Sequence, residues 1–259
     1  MPRQAQVTPT HGKDVTTGTV IWTVSAAAPR TLGRGLAVLL VLLTLGHATA
    51  LFLRHGLGMT YAFGLVEFLD LDFEEGFGTW ANTSLHLLCA LLSALAALVA
   101  GAQGDSWSRN WWTIAAVFVF LSLDEVGTLH EDLITPIRDA FDLGGVLYLS
   151  WIVPAVGLGL LFLVSQVRFL RHHWHTIGRD LVVAGVLFVA GAVGVEMAEA
   201  VVAERGLKTT LANDLLTGLQ EFVEIGAVMM AAVALLRHLV TTLGMPTIRA
   251  VPQSSSGSS

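Results

Sequence analysis

The chain has 259 residues, of which 54% are hydrophobic and only 13% are charged, and its mean hydropathy is +0.68. Soluble domains carry about 25% charged residues, so these values exclude a soluble globular protein and an intrinsically disordered one. The net charge of −6 excludes a nucleic-acid binder with a basic surface. The single cysteine, Cys89, excludes a disulfide framework and a cysteine-based zinc site. The composition therefore predicts an all-α, polytopic membrane helix bundle.

Six stretches are apolar over the roughly 20 residues that a helix needs to cross a bilayer. In chain order, the predicted spans cover residues 36–53, 80–100, 111–129, 146–167, 181–203 and 215–236. They form a predicted transmembrane domain at residues 35–241, between a tail at 1–34 and a flexible, serine-rich tail at 242–259. Residues 56–78 alternate apolar and acidic side chains over a length too short to cross. We expect this segment to be interfacial or re-entrant.

Basic residues set the orientation, because Lys and Arg concentrate on the cytoplasmic side of a membrane. With both termini in the cytoplasm, ten of the fourteen Lys and Arg residues are cytoplasmic, and only Arg54, Arg138, Arg205 and Lys208 face outward. Seventeen of the twenty acidic residues then lie in outer loops or in the outer halves of spans. We therefore predict a multipass protein of the plasma (inner) membrane with about six spans, cytoplasmic N and C termini and an outward-facing polar pocket.

The pocket is predicted from helical periodicity. At about 100° per residue, the polar residues of the second, third, fifth and sixth spans fall on one face of each helix, mainly in the outer half. Ionisable groups inside a membrane are costly, usually face the bundle interior and mark functional sites. The first and fourth spans lack such a face and are expected to flank the other four. The predicted pocket residues are His86, Asp124, Glu131, Glu196, Glu199, Glu221 and Glu224.

The strongest signal is two pairs of glutamates, Glu196 with Glu199 and Glu221 with Glu224, each one helical turn apart inside an apolar stretch. On consecutive antiparallel spans these carboxylates would repel each other unless a cation or protons lay between them. Ligand sets rich in carboxylates suit hard or intermediate cations. We therefore predict that the seven pocket residues bind a divalent metal ion, namely Fe, Mn, Mg, Ca or Zn.

Two functional classes would use such a pocket. A metal-dependent enzyme acting on a lipid or a small apolar substrate would activate water there, with Glu125 and His130 as catalytic proton carriers. A cation or proton transporter would use the same carboxylates as a transient site, and its polar residues should continue to the cytoplasmic side. Only Ser93 and Ser122 extend that way, which favours the one-sided pocket of an enzyme. An accessory subunit that binds a partner through its polar face is a third alternative.

Several of these residues also fit structural roles. His86 alone would satisfy a buried hydrogen bond, and Glu131 would lie in water if the third span ended four residues earlier. The acidic residues at 67–75 are expected to form a solvated outer loop or a lid over the pocket. The loop at 168–179, with its three histidines, is expected to contact lipid headgroups or to bind a metal ion.

Two stretches resemble signatures of a bacterial multipass membrane family with no assigned activity. They read Leu69-Asp-Leu-Asp-Phe-Glu-Glu-Gly-Phe-Gly-Thr-Trp-Ala-Asn-Thr-Ser and Phe120-Leu-Ser-Leu-Asp-Glu-Val-Gly-Thr-Leu-His-Glu, and the resemblance implies membrane placement. Ser84, His86 and Asp124 carry a fainter similarity to the ceramidase-like membrane hydrolases, which would imply zinc-dependent hydrolysis of a lipid amide. Where that family has a late His-x-x-x-His, this sequence has Glu221-Phe-Val-Glu224.

Overall fold

The computed structural model describes residues 25–243, which form helices and turns without a strand in that range. Five helices are long and apolar enough to cross a membrane, and a bent helix pair supplies a sixth crossing if it counts as one span. The prediction of an all-α polytopic bundle of about six spans is confirmed. The predicted tails at 1–34 and 242–259 lie outside the described residues except at their inner ends.

The α-helices of this region follow the predicted spans, with additional short helices between them. They are α1 (Ala28–Leu51), α2 (Leu65–Leu69), α3 (Phe77–Ala102), α4 (Ser108–Gly127), α5 (Leu129–Phe141), α6 (Ile152–His172), α7 (Arg179–Val189), α8 (Glu196–Glu204) and α9 (Leu211–His238). Short π-helical turns extend several of them, at Phe52–Gly56, Trp174–Gly178, Ala190–Val195 and Leu239–Leu243. Two 3₁₀ turns lie at Ala62–Gly64 and Gly145–Leu147. Because of the π turns, the fifth span covers Trp174–Glu204 and the sixth covers Leu211–Thr241, both longer than predicted.

The two ends of the bundle differ in charge. Arg237 pairs with Asp180 at one end, and Arg54 pairs with Asp214 at the other. The first end, here called the arginine end, carries Arg30, Arg34, Arg109, Arg168, Arg171, Arg179 and Arg237. The second end, here called the carboxylate end, carries Asp70, Glu74, Asp124, Glu131, Glu196, Glu199 and Asp214. The predicted orientation puts the arginine end in the cytoplasm.

The core lies between α3, α4, α7 and α9, and α1 packs along α9. Small residues allow a close approach of α3 to α9, where Cys89 Sγ lies 3.6 Å from the carbonyl oxygen of Val228. By contrast, α6 is peripheral, and apolar side chains such as Leu161 and Val164 are exposed along it. The fourth span therefore flanks the bundle as expected. The first span packs on one side along α9 and exposes Val38, Val41 and Leu45 on the other side.

The third span ends in a sharp bend. Helix α4 stops at Gly127, two residues before the predicted end of the span, and α5 leaves it at an angle of 79°. Thr128 forms the bend with a φ of +48°, a left-handed conformation that costs a β-branched residue about 1 kcal/mol or more. Beyond the bend, α5 buries none of its side chains. Its leucines and isoleucines lie on one side and its acids on the other, which is typical of a helix at a membrane surface.

The segment predicted to be interfacial is partly built into the bundle. Val66 and Leu71 are buried, and Asp70 is only 4% exposed. Asp72 and Glu74 remain exposed, as a solvated outer loop requires. The segment thus covers the carboxylate end of α1 and α3 instead of lying apart from them.

Candidate functional site

The bend at Thr128 brings Asp124, near the end of α4, against His130, near the start of α5. One carboxylate oxygen of Asp124 accepts a hydrogen bond from the backbone N–H of His130 at 3.0 Å, and the other lies 2.9 Å from the ring Nδ1. Asp124 therefore caps the first turn of α5 and orients the imidazole at the same time. With Nδ1 held by a carboxylate, Nε2 is the ring atom available to a ligand or a proton.

Trp151, which precedes α6, connects this pair to the glutamates of the fifth span. Its indole Nε1–H donates to Glu196 Oε1 at 2.6 Å, and its ring lies 5.0 Å from the His130 ring. Glu196 is buried. One tryptophan thereby links α5 and α8 at the carboxylate end.

The predicted glutamates gather in the bundle interior near this point. Glu224 lies within range of electrostatic repulsion from Glu125 and Glu196. Glu221 lies within range of repulsion from Glu125 and Glu199. Three of the glutamates have a polar side chain close by: Asn82 lies near Glu125, Thr217 near Glu199 and Gln220 near Glu224. Glu125, Glu196, Glu199, Glu221 and Glu224 therefore lie in one region of the bundle.

Several buried polar atoms in this region lack a hydrogen-bond partner among the described residues. They are Asn82 Oδ1, His86 Nε2, Glu199 Oε1 and Glu224 Oε1. All four can accept a hydrogen bond or coordinate a cation, and buried acceptors of this kind are normally satisfied. The other ring nitrogen of His86 is held by the Asn82 carbonyl oxygen at 3.1 Å. These four acceptor atoms therefore lack hydrogen-bond donors or a positive charge to satisfy them.

Basic side chains do not supply that charge. Among the ion pairs of residues 25–243, none joins a Lys or Arg to Glu125, Glu196, Glu199, Glu221 or Glu224. Lys208 attracts Glu196 and Glu199 electrostatically from a distance, without forming an ion pair with either of them. Buried carboxylates without a cation are strongly unfavourable unless protons or an added cation compensate them.

The seven predicted metal ligands do not form a ready coordination site. Within the described part of the chain, no three His, Cys, Asp or Glu side chains lie close enough to hold a metal ion. His86 lies deeper in the bundle than the other six. Glu131 lies past the bend on exposed α5, where its carboxylate is close to that of Glu74. A bound cation would have to draw these side chains together.

A second cluster at the same end was not predicted. Arg54 pairs with both Asp70 and Asp214, and the Arg54–Asp214 contact is 2.9 Å. His47 lies 3.2 Å from a carboxylate oxygen of Asp70 and 3.2 Å from the Asp214 carbonyl oxygen, and His55 lies 2.8 Å from the Asp214 carboxylate. Two features of the sequence could have indicated it: Arg54 lies on the outer side, against the general rule, and it shares a helix face with His47 seven residues earlier.

The ion pairs of this cluster determine the titration of Asp70. Burial opposes ionisation of the carboxyl group, but the contacts with His47 and Arg54 outweigh burial and lower its pKa below the ordinary value. Asp70 is therefore a charged anchor that ties the loop before α3 to the end of the first span.

Residues 35–243 match the family described as Domain of unknown function (DUF8692). The chain belongs to this family. The match begins at Gly35, about two turns into α1, and runs through the other spans to Leu243, the last residue of the π turn that follows α9. Comparisons with curated proteins and with solved structures give no match.

Buried polar atoms also occur toward the arginine end. Ser93 Oγ, Trp111 Nε1 and both ring nitrogens of His238 have no partner within residues 25–243. The His238 ring lies 5.2 Å from the Trp111 ring and 6.0 Å from the ring of His173. The predicted sixth span ends at residue 236 and leaves His238 outside it, whereas α9 continues to His238. Polar groups of the bundle therefore extend beyond the carboxylate end.

Proposed function

We propose that this membrane protein is a cation transporter whose ion site is formed by the buried glutamates of the carboxylate end. One observation carries the proposal: Glu199 and Glu224 each hold a buried, unpartnered oxygen beside further carboxylates, inside apolar helices that bring no Lys or Arg to them among the described residues. Such a cluster needs a cation or protons to be stable.

The spacing of the ligands favours transport over a permanently bound cofactor. A structural metal site has its ligands assembled, whereas a transported ion binds to a site that forms and dissolves as helices move. The carboxylates here lie near one another without three of them converging in the described region. Ser93, Trp111 and His238 continue the polar character toward the arginine end, as transport requires. We orient the carboxylate end outward on the distribution of basic residues.

Flux measurements test this proposal. We expect purified protein in liposomes to conduct at least one of Mg²⁺, Ca²⁺, Mn²⁺, Fe²⁺ or Zn²⁺, or protons, and expect Glu224→Gln and Glu199→Gln to lower that flux tenfold or more. Glu204→Gln is the matched control, because Glu204 ends α8 with its side chain exposed. Absence of flux for every cation in the wild type would overturn the proposal.

A metal-dependent enzyme is the second candidate, and the Asp124–His130 pair favours it. A carboxylate-oriented imidazole is the usual arrangement for a general base or a metal ligand. It lies at the start of α5, whose exposed Leu129, Leu133 and Phe141 would meet the lipid interface. In this case a lipid or a small apolar molecule is the substrate, Glu125 is a second proton carrier, and a divalent cation held by the glutamates activates water.

Turnover and flux separate the two candidates. If the protein is an enzyme, wild-type protein with a divalent metal should hydrolyse at least one lipid of a panel of esters and amides. His130→Gln should abolish that reaction. Hydrolysis without flux would favour the enzyme, and flux without hydrolysis would favour the transporter.

A further inference from the structure

A shallow apolar groove runs between α1 and α9 at the arginine end. Gly33, Ala37 and Leu40 line one side, and Gly226, Met230 and Val233 line the other. The glycines keep it open, since a Cβ at Gly33 would meet only the Val233 methyl groups at 3.6 and 3.9 Å, and one at Gly226 only Leu40 at 3.8 Å. From Gly33 to Leu40 the groove follows seven residues of helix, or about 10 Å.

Positive charge surrounds the end of this groove. Arg237 closes it together with Asp180, its ion-pair partner, and the Arg237 side chain remains 49% exposed. Arg30 precedes Gly33 by three residues and Ala37 by seven, so it lies on the face of α1 that lines the groove. Arg34 follows one turn later.

These two arginines of α1 have no carboxylate to neutralise them in the described region. Arg30 and Arg34 are exposed, and neither takes part in an ion pair within residues 25–243. The mouth of the groove therefore holds three arginines and one aspartate. Their net charge is positive, and it lies next to the apolar groove.

We propose that this groove binds one anionic glycerophospholipid. An acyl chain would lie along the glycines and methionines between α1 and α9, and the phosphate would lie among Arg30, Arg34 and Arg237. The flexible side chain of Met230 suits an irregular acyl chain. The cationic mouth selects an anionic headgroup over a zwitterionic one, by about fivefold for each arginine that contacts it. The proposal is independent of the function of the carboxylate end.

Lipid retention provides the test. Wild-type protein in detergent would be equilibrated with equal amounts of phosphatidylglycerol and phosphatidylcholine, then analysed intact by native mass spectrometry. We expect one phosphatidylglycerol to be retained with a preference of at least fivefold. Equal retention of the two lipids would overturn the proposal.

Variants separate the groove from the general positive charge of this end. Arg30→Gln combined with Arg34→Gln should reduce the preference to near one, whereas Arg109→Gln, an exposed arginine at the start of α4, should leave it unchanged. Gly33→Leu, which fills the groove and keeps every charge, should abolish retention. If the double variant fails to fold, Gly33→Leu still decides, because full retention by that variant would overturn the proposal. Displacement of the lipid by millimolar glycerol phosphate would also overturn it, since the groove would then contribute nothing.

Discussion

The imidazole of His47 lies against Gly218, in the space that a Cβ at residue 218 would occupy. This contact fixes α1 to α9 at the level where His47 also reaches the Asp214 carbonyl oxygen and the backbone N–H of Leu71. A glycine in the middle of a helix is unfavourable relative to alanine by about 1 kcal/mol, so its presence here reflects the close approach. His47 therefore joins the first span to α9, together with the ion pair between Arg54 and Asp214.

Gly218→Ala should destabilise the protein. The added methyl group must displace His47 and break its two backbone hydrogen bonds, which we expect to cost about 2 kcal/mol net of the better helix propensity of alanine. Thermal unfolding in detergent would measure the loss. Gly185→Ala is the control, because nothing lies within 4 Å of a Cβ at that exposed position of α7. Equal stabilities of the two variants would contradict the interpretation of Gly218.

Asp70 should make stability depend on pH. Its pKa is lowered in the folded protein, because the contacts with His47 and Arg54 outweigh its burial. The carboxylate therefore contributes its full stabilisation above the unfolded pKa of about 3.9, and the contribution is lost as the pH falls through the lower folded pKa. Asp70→Asn should cost about 3 kcal/mol at pH 7 and should flatten the loss of stability below pH 4.

Unfolding temperatures of wild type and variant between pH 7 and pH 3 would measure this effect. Asp139→Asn is the matched control, because Asp139 is exposed and lies 3.7 Å from Arg138 in a surface pair worth little. An Asp70→Asn variant with the pH profile of the wild type would rule out Asp70 as the responsible group.

The lowered pKa of Asp70 also illustrates what the sequence could and could not predict. The spans and the fold class follow from hydropathy over about 20 neighbouring residues, which is a local property. Asp70 was expected in a solvated loop, and it is buried because Arg54 and His47, 16 and 23 residues earlier, compensate its charge. Pairs of this kind depend on how helices rotate about one another, which periodicity within one helix does not determine.

The distances between the glutamates likewise depend on how the helices pack, which periodicity within one helix does not determine. Periodicity placed Glu196 and Glu224 on inward faces, and both are buried. Their distances to one another and to His86 depend on the bend at Thr128 and on the π turn at Ala190–Val195, and neither was predicted. Periodicity therefore indicates which face of each helix points inward, and only the structure shows which of the candidate residues approach one another.

Trp151→Phe should test the link between His130 and Glu196. Phenylalanine replaces the indole by a smaller aromatic ring and removes the Nε1–H that donates to Glu196 at 2.6 Å, which leaves a buried carboxylate oxygen without its donor. We expect a loss of about 2 kcal/mol in unfolding free energy. Trp112→Phe is the control, because Trp112 is 47% exposed, and it should change stability by less than about 0.5 kcal/mol. A Trp151→Phe protein as stable as the control would mean that another donor replaces the indole.

His238→Phe separates a structural role from a functional role at the arginine end. Both ring nitrogens of His238 are buried without a partner in the described region, and an apolar ring of similar shape removes that cost. We therefore expect the variant to unfold with a free energy equal to or about 1 kcal/mol above that of the wild type. If His238 lies on the route of the transported cation, the same variant should lose at least fivefold of the flux in liposomes. Lower stability would contradict the interpretation that the two ring nitrogens are unsatisfied, and unchanged flux would remove His238 from the proposed route.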